Sequence, residues 1–162
     1  MTDNHYDNDS DRIFPSTDHS EASGGSLPRK SPCASCPYRR GVPSGVWDAE
    51  EYDKLPRYDG EIHEQSAIAV FSCHHQDGQV CAGWLGHRDP VDLLAVRLGI
   101  SSGQLDPSCA EYTTPVPLFE TGAEAAEHGK RDIEAPDEAA RQTIHKILRI
   151  TKMRGRDDHP KG

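Results

Sequence analysis

The sequence predicts a small, loop-rich α+β domain of short helices and few strands, behind a disordered N-terminal tail. Three observations predict it. The chain has 162 residues, room for one domain and its tails but not for two full cores. Only 27 residues are Leu, Ile, Val or Phe, about 17%, under the ~20% below which a charged chain is suspected of disorder. The helical and strand patterns are brief, and Pro and Gly interrupt them. A core across the whole length is therefore excluded. No apolar run approaches the ~18 residues of a membrane span. The first thirty residues lack the apolar stretch of an export signal. The expectation is a cytoplasmic protein with no membrane partner.

Charge divides the chain. The net charge is −9. Residues 1–28 contribute −5, residues 29–118 −4, and residues 119–162 zero. Residues 1–28 read as a disordered acidic tail, rich in Asp, Ser, Asn and Gly, with Ile13 and Phe14 its only adjacent large apolar pair. Residues 29–118 read as the organised cysteine-bearing domain, and residues 119–162 as a helical C-terminal extension. The global charge argues against general affinity for a polyanion. Locally, Arg141, Lys146, Arg149, Lys152, Arg154 and Arg156 stand against Glu138 alone within residues 138–156. That run is either solvated surface or a contact for a protein or nucleic-acid partner.

The elements follow in order. Asp48 caps a short helix, with Glu51 completing a capping box. Trp47 and Tyr52 stand at the positions of a hydrophobic staple, and Pro56 blocks continuation. Residues 66–72 are the best strand, delivering the chain to Cys73. Asp89-Pro90 opens a second helix with Val91, Leu94, Ala95 and Leu98 on one face and Gly99 at its end. Thr121 and Glu124 cap an alanine-rich helix that stops at Gly129. Pro136 opens a last helix with Ala140, Ile144, Ile147, Leu148 and Thr151 in one stripe. The rest reads as loop.

Five cysteines carry the chemistry: Cys33, Cys36, Cys73, Cys81 and Cys109. Cys33-Ala-Ser-Cys36 is a close pair, Cys73 follows after 36 residues, and Cys81 after seven more. A close pair, a long excursion and a second pair are the content of one metal site. Zinc takes four thiolate or imidazole ligands in a tetrahedron, and two residues between ligands let one turn aim both sulfurs at the ion. Such an ion cross-links segments too lean to bury one another. Cys33, Cys36, Cys73 and Cys81 are the expected ligands. Cys109, in a loop after Asp106-Pro107, reads as a spare thiol, and His74 and His75 as neighbours of the site.

Zinc and an iron–sulfur cluster both accept four thiolates. Pro37 in place of a knuckle glycine, and the spacing of seven, point to a cluster. The adjacent histidines, and the lack of a compact three-cysteine run, point to zinc. The expectation is Zn2+, with a [4Fe-4S] cluster as the alternative. A disulfide framework is disfavoured in a reduced compartment. A thioredoxin-type pair is disfavoured by Pro32 and Pro37, which place the cysteines in a loop. A histidine-metal nuclease at Cys73-His74-His75 lacks further ligands on the helix that follows. There is no Gly-rich phosphate loop. The two Trp read as packing around the metal site rather than as base-stacking platforms.

Cys33-Ala-Ser-Cys-Pro-Tyr-Arg39, Val42-Pro-Ser-Gly-Val-Trp47, Phe71-Ser-Cys-His74 and Cys81-Ala-Gly-Trp84 together resemble an uncharacterised family of small actinobacterial and phage proteins. The likeness spans residues 29–128 and implies a shared cysteine set of metal-binding type without an activity. Cys36-Pro-Tyr-Arg39 and Gly45-Val-Trp47 also resemble pieces of the WhiB-like iron–sulfur regulators, although here the third and fourth cysteines come after the Trp turn rather than before it. The function expected is a non-enzymatic binding or regulatory protein with a structural zinc, or alternatively an iron–sulfur protein in redox sensing or electron transfer.

Overall fold

The computed structural model describes residues 24–65, 70–73 and 78–157. Five α-helices occupy them: α1 (Ala49–Lys54), α2 (Ala82–Gly86), α3 (Leu94–Ser101), α4 (Gly122–Lys130) and α5 (Glu138–Asp157). Single 3-10 turns span Leu55–Arg57, Pro90–Asp92 and Pro107–Glu111. Extended pairing among the described residues is limited to isolated bridges, two of them made by Val80, to Pro28 and to Ser72. The molecule is thus small and helical with few extended contacts.

Several local expectations need correction. The strand expected over residues 66–72 falls partly outside the described residues, at 66–69. At its end, Ser72 makes one antiparallel bridge to Val80. Asp48 precedes α1 but its side chain makes no cap bond. The staple pair instead makes a hydrogen bond, the Trp47 amide donating to Tyr52 Oη at 3.2 Å. Pro56 tightens the chain into a 3-10 turn rather than stopping it.

The helix expected from Asp89 is broken in two. Asp89 does cap, its carboxylate accepting the Val91 amide, but only for a 3-10 turn. Gln65 is the reason for the restart. Its side-chain carbonyl accepts the Leu94 amide at 2.8 Å and its amide donates to the Asp92 carbonyl at 3.0 Å. A distant side chain thus satisfies groups that a continuous helix would have used. The break turns the apolar stripe, so Leu93, Ala95 and Val96 are buried while Val91 and Leu98 are exposed. Gly99 lies inside α3 and packs on Leu105 rather than ending the helix.

α4 forms as its cap predicts. Thr121 Oγ1 accepts the Glu124 amide at 3.1 Å, and the helix runs one residue past Gly129. Gly129 meets Tyr52 so closely that a Cβ there would lie 2.0 Å from Tyr52 Cε1. Ala125 and Ala126 join Tyr38, Tyr52, Leu55, Trp84 and Leu93 in the main core. Gly45, at φ 77°, donates its amide to the Gly129 carbonyl at 2.8 Å. That close approach ties the loop after the Cys33–Cys36 turn to the end of α4.

Asp137 caps α5, its carboxylate accepting the Ala140 amide at 2.7 Å. α5 is about 30 Å long by its 1.5 Å rise. Only its first half seats, with Ala140 buried and Ile147 half-buried against Val42, Val46 and Trp47. Leu148, expected in the buried stripe, is 61% exposed, and Met153 beyond it is 63% exposed. Residues 24–28, at the end of the expected tail, run beside Leu105 and Val80 through two parallel bridges.

Candidate metal centre

The Cys33–Cys36 turn is closed by the Cys36 amide donating to the Cys33 carbonyl at 3.1 Å. Trp47 holds this turn from outside, its indole N–H donating to the Ser35 carbonyl at 2.8 Å. Cys81 sits at the N-terminus of α2, a helix where the sequence pattern predicts loop. The two elements meet at their sulfurs, with Cys36 Sγ 3.9 Å from Cys81 Sγ and both side chains buried. Gly83 permits the approach, since a Cβ there would lie 2.2 Å from Cys36 Sγ.

The Cys36 and Cys81 thiols are electrostatically unequal. Hydrogen bonding to Cys33 and Cys81, followed by burial, pushes the Cys36 thiol well up. Cys81 is held below the ordinary thiol range by the bond from Cys36 and by the Trp84 and Gly83 amides at the start of α2. Of this pair, Cys81 is the sulfur prepared to carry charge.

Cys73 lies on the segment that pairs with the one leading into Cys81. The Cys73 amide donates to the Gln79 carbonyl and the Cys81 amide to the Phe71 carbonyl, at 2.9 and 2.8 Å. Across the Ser72–Val80 bridge this puts Cys73 and Cys81 on one face. The Cys73 sulfur receives a contact from Arg29 Nη1 at 3.5 Å. Sequence reading did not single out Arg29 as a partner. A cation 44 residues away leaves no local pattern.

Cys109 stands apart. It is fully buried, it donates to the Ser26 carbonyl at 3.5 Å, and burial raises its pKa to about 11. His74 and His75 lie outside the described residues. Among the described residues no group of three or more His, Cys, Asp and Glu side chains is arranged to hold a metal ion. The structure brings Cys36 into hydrogen-bonding reach of both Cys33 and Cys81 and leaves Cys73 facing Arg29.

A second polar pair lies behind the sulfurs. His87 Nδ1 faces the Trp84 carbonyl and its Nε2 meets Asp59 at 3.1 Å, with both side chains buried. Asp59 also accepts the Gly122 amide. The Tyr38 ring lies 4.7 Å from the His87 ring. Burial, then Asp59, Cys81 and Cys36, push the Tyr38 phenol well up. Trp84 is fully buried and donates its indole N–H to the Tyr58 carbonyl at 3.0 Å. Both Trp are packing residues.

The cysteine turn, the Cys73 strand end, the Cys81 helix and the two helices behind them all fall within one match, a family of unknown function, DUF6283, over residues 28–154. The chain belongs to DUF6283. The match contains all five cysteines and nearly all of α5, so the family embraces the candidate centre and the helix beside it. No curated protein and no solved structure matches the chain. Among the described residues, no helix is long and apolar enough to cross a membrane.

The donor set agrees in kind with a thiolate-bound ion. A tetrahedron with Zn–S of about 2.3 Å has sulfurs about 3.8 Å apart along each edge, close to the 3.9 Å between Cys36 and Cys81. Amides at the start of α2 are aimed at Cys81, the kind of outer partner that orients a metal ligand.

Proposed function

We propose that this protein is a small, non-enzymatic metal-binding module in which Cys33, Cys36, Cys73 and Cys81 hold one structural Zn2+. The observation that carries the reading is the buried 3.9 Å approach of Cys36 and Cys81, a spacing suited to two ligands of a single ion. Cys73 would exchange its Arg29 contact for the ion. When bound, the ion closes the site with four sulfurs and supplies stability rather than a reactive position.

Magnitudes support a structural role. Apparent zinc binding in small domains is worth about 10–16 kcal/mol, whereas whole-domain stability is about 5–15 kcal/mol. One ion is large enough to decide whether so apolar-poor a chain stays folded. The module would present α5 to a protein or nucleic-acid partner, with Arg141, Lys146, Arg149, Lys152 and Arg154 exposed along it.

Metal content of single Cys→Ser variants tests the proposal. Protein purified without air is expected to be colourless with about one zinc per chain. Cys36→Ser and Cys81→Ser should lose both the ion and cooperative unfolding, and Cys109→Ser should keep both. Brown protein that bleaches on reduction would replace zinc with an iron–sulfur cluster. Loss of metal in Cys109→Ser with retention in Cys81→Ser would refute the ligand set.

A further inference from the structure

The first half of α5 and the Cys33–Cys36 turn enclose an open groove of about 420 Å³. Ala34, Ser35 and Pro43 form one wall, and Lys146, Ile147 and Ile150 the other. The volume lies in the range of about 300–1,000 Å³ typical of ligand pockets. The lining is mostly small and apolar, with Lys146 its one cation. Lys146 lines it, Arg149 follows three residues later, and Arg154 stands four residues beyond Ile150, so these cations neighbour the groove along the helix. All three are exposed, and none is in an ion pair among the described residues.

We propose that this groove is a docking site for the chain's own N-terminal segment, residues 11–18, with Ile13 and Phe14 against the apolar lining and the flanking acids beside the α5 cations. Three arguments select this occupant. Its charge complements the groove: Asp7, Asp9 and Asp11 precede the apolar pair and Asp18 and Glu21 follow it, with Arg12 the only Lys or Arg in residues 1–28. Its apolar content is concentrated, since Ile13 and Phe14 are the only adjacent large apolar residues there. It also reaches. Phe14 stands ten residues before Gly24, the first described residue, and those ten steps extend up to about 33–36 Å. That is more than twice the radius of gyration of about 14 Å of a domain of about 130 residues, so the segment can reach beyond the face on which Gly24 lies.

Pro15 lowers the cost of docking, because a residue before proline is biased to extended backbone. The inference goes beyond the metal reading and does not require an ion. A partner that engages this side of α5 would have to displace the segment.

The test uses the full chain carrying Phe14→p-benzoylphenylalanine, irradiated at low protein concentration and mapped by mass spectrometry. Crosslinks within one chain to Pro43, Ile147 or Ile150 are expected. Their yield should fall at least about fivefold in Lys146→Glu/Ile150→Asp, and it should fall as salt screens the acids from the helix. The crosslink position in the otherwise unaltered chain is decisive even if that double variant loses helix. Crosslinks to any other surface, crosslinks joining two chains, or a yield indifferent to both the variant and salt would overturn the proposal.

Discussion

Cys36 and Cys81 lie 45 residues apart in sequence and 3.9 Å apart at their sulfurs, and Gly83 leaves the space that lets them meet. The contact joins the turn held by Trp47 to the N-terminus of α2. It explains why a five-residue helix, far too short to persist alone, forms directly after Cys81. Its amides have a sulfur to bond, and Trp84 anchors it in the core.

Gly83→Ala should break this contact. The added Cβ would fall 2.2 Å from Cys36 Sγ and 3.2 Å from Tyr38 Cβ. Overpacking of this kind costs about 1–3 kcal/mol, and metal retention should fall with it. Gly41→Ala meets nothing within 4 Å and should change stability by no more than about 0.5 kcal/mol. Urea unfolding and metal content of the two variants check the contrast. Equal behaviour would show that the close approach is unimportant.

Asp59→Ala should be among the most damaging single changes. It removes the partner of His87 Nε2 and of the Gly122 amide together, in a buried site. Breaking a buried charged or hydrogen-bonded pair from one side costs about 3–5 kcal/mol. Thermal unfolding that shifts by only a degree or two would contradict the role given to this pair.

Cys109 sets an alkaline limit. Its folded pKa of about 11 lies above the ordinary 9.0. Below pH 9 the thiol is protonated in both states and contributes nothing. Between about pH 9 and 11 the unfolded chain has lost the proton and the folded chain still holds it, so stability declines as pH rises. Cys109→Ala should flatten the decline across that window. Identical pH profiles for the two proteins would contradict it.

Much of the fold was legible where a local signal exists. Thr121-Gly-Ala-Glu124 and Asp89-Pro90 carry their caps in adjacent residues, and both caps form. The stripe from Val91 to Leu98 misled because Gln65, 29 residues before Leu94, supplies the bonds that restart the helix. Such a contact has no periodicity to read. The candidate centre shows the same division. Cysteine spacing points to Cys33, Cys36, Cys73 and Cys81 as one set, of which the structure joins Cys36 to Cys33 and Cys81 and sets Cys73 against Arg29. Nothing in sequence announced Arg29 on Cys73, or the Asp59–His87 pair beside Tyr38. Leu148 fits the helical stripe of α5 but lies beyond the surface that Val42 and Val46 offer, so periodicity overstates how much of that helix is covered.

X-ray absorption at the zinc edge of the purified full-length protein addresses the ligand set directly. The account predicts a single shell of four sulfurs at about 2.3 Å. A shell dominated by nitrogen and oxygen, or protein whose metal is iron with a second metal in its scattering, would contradict it.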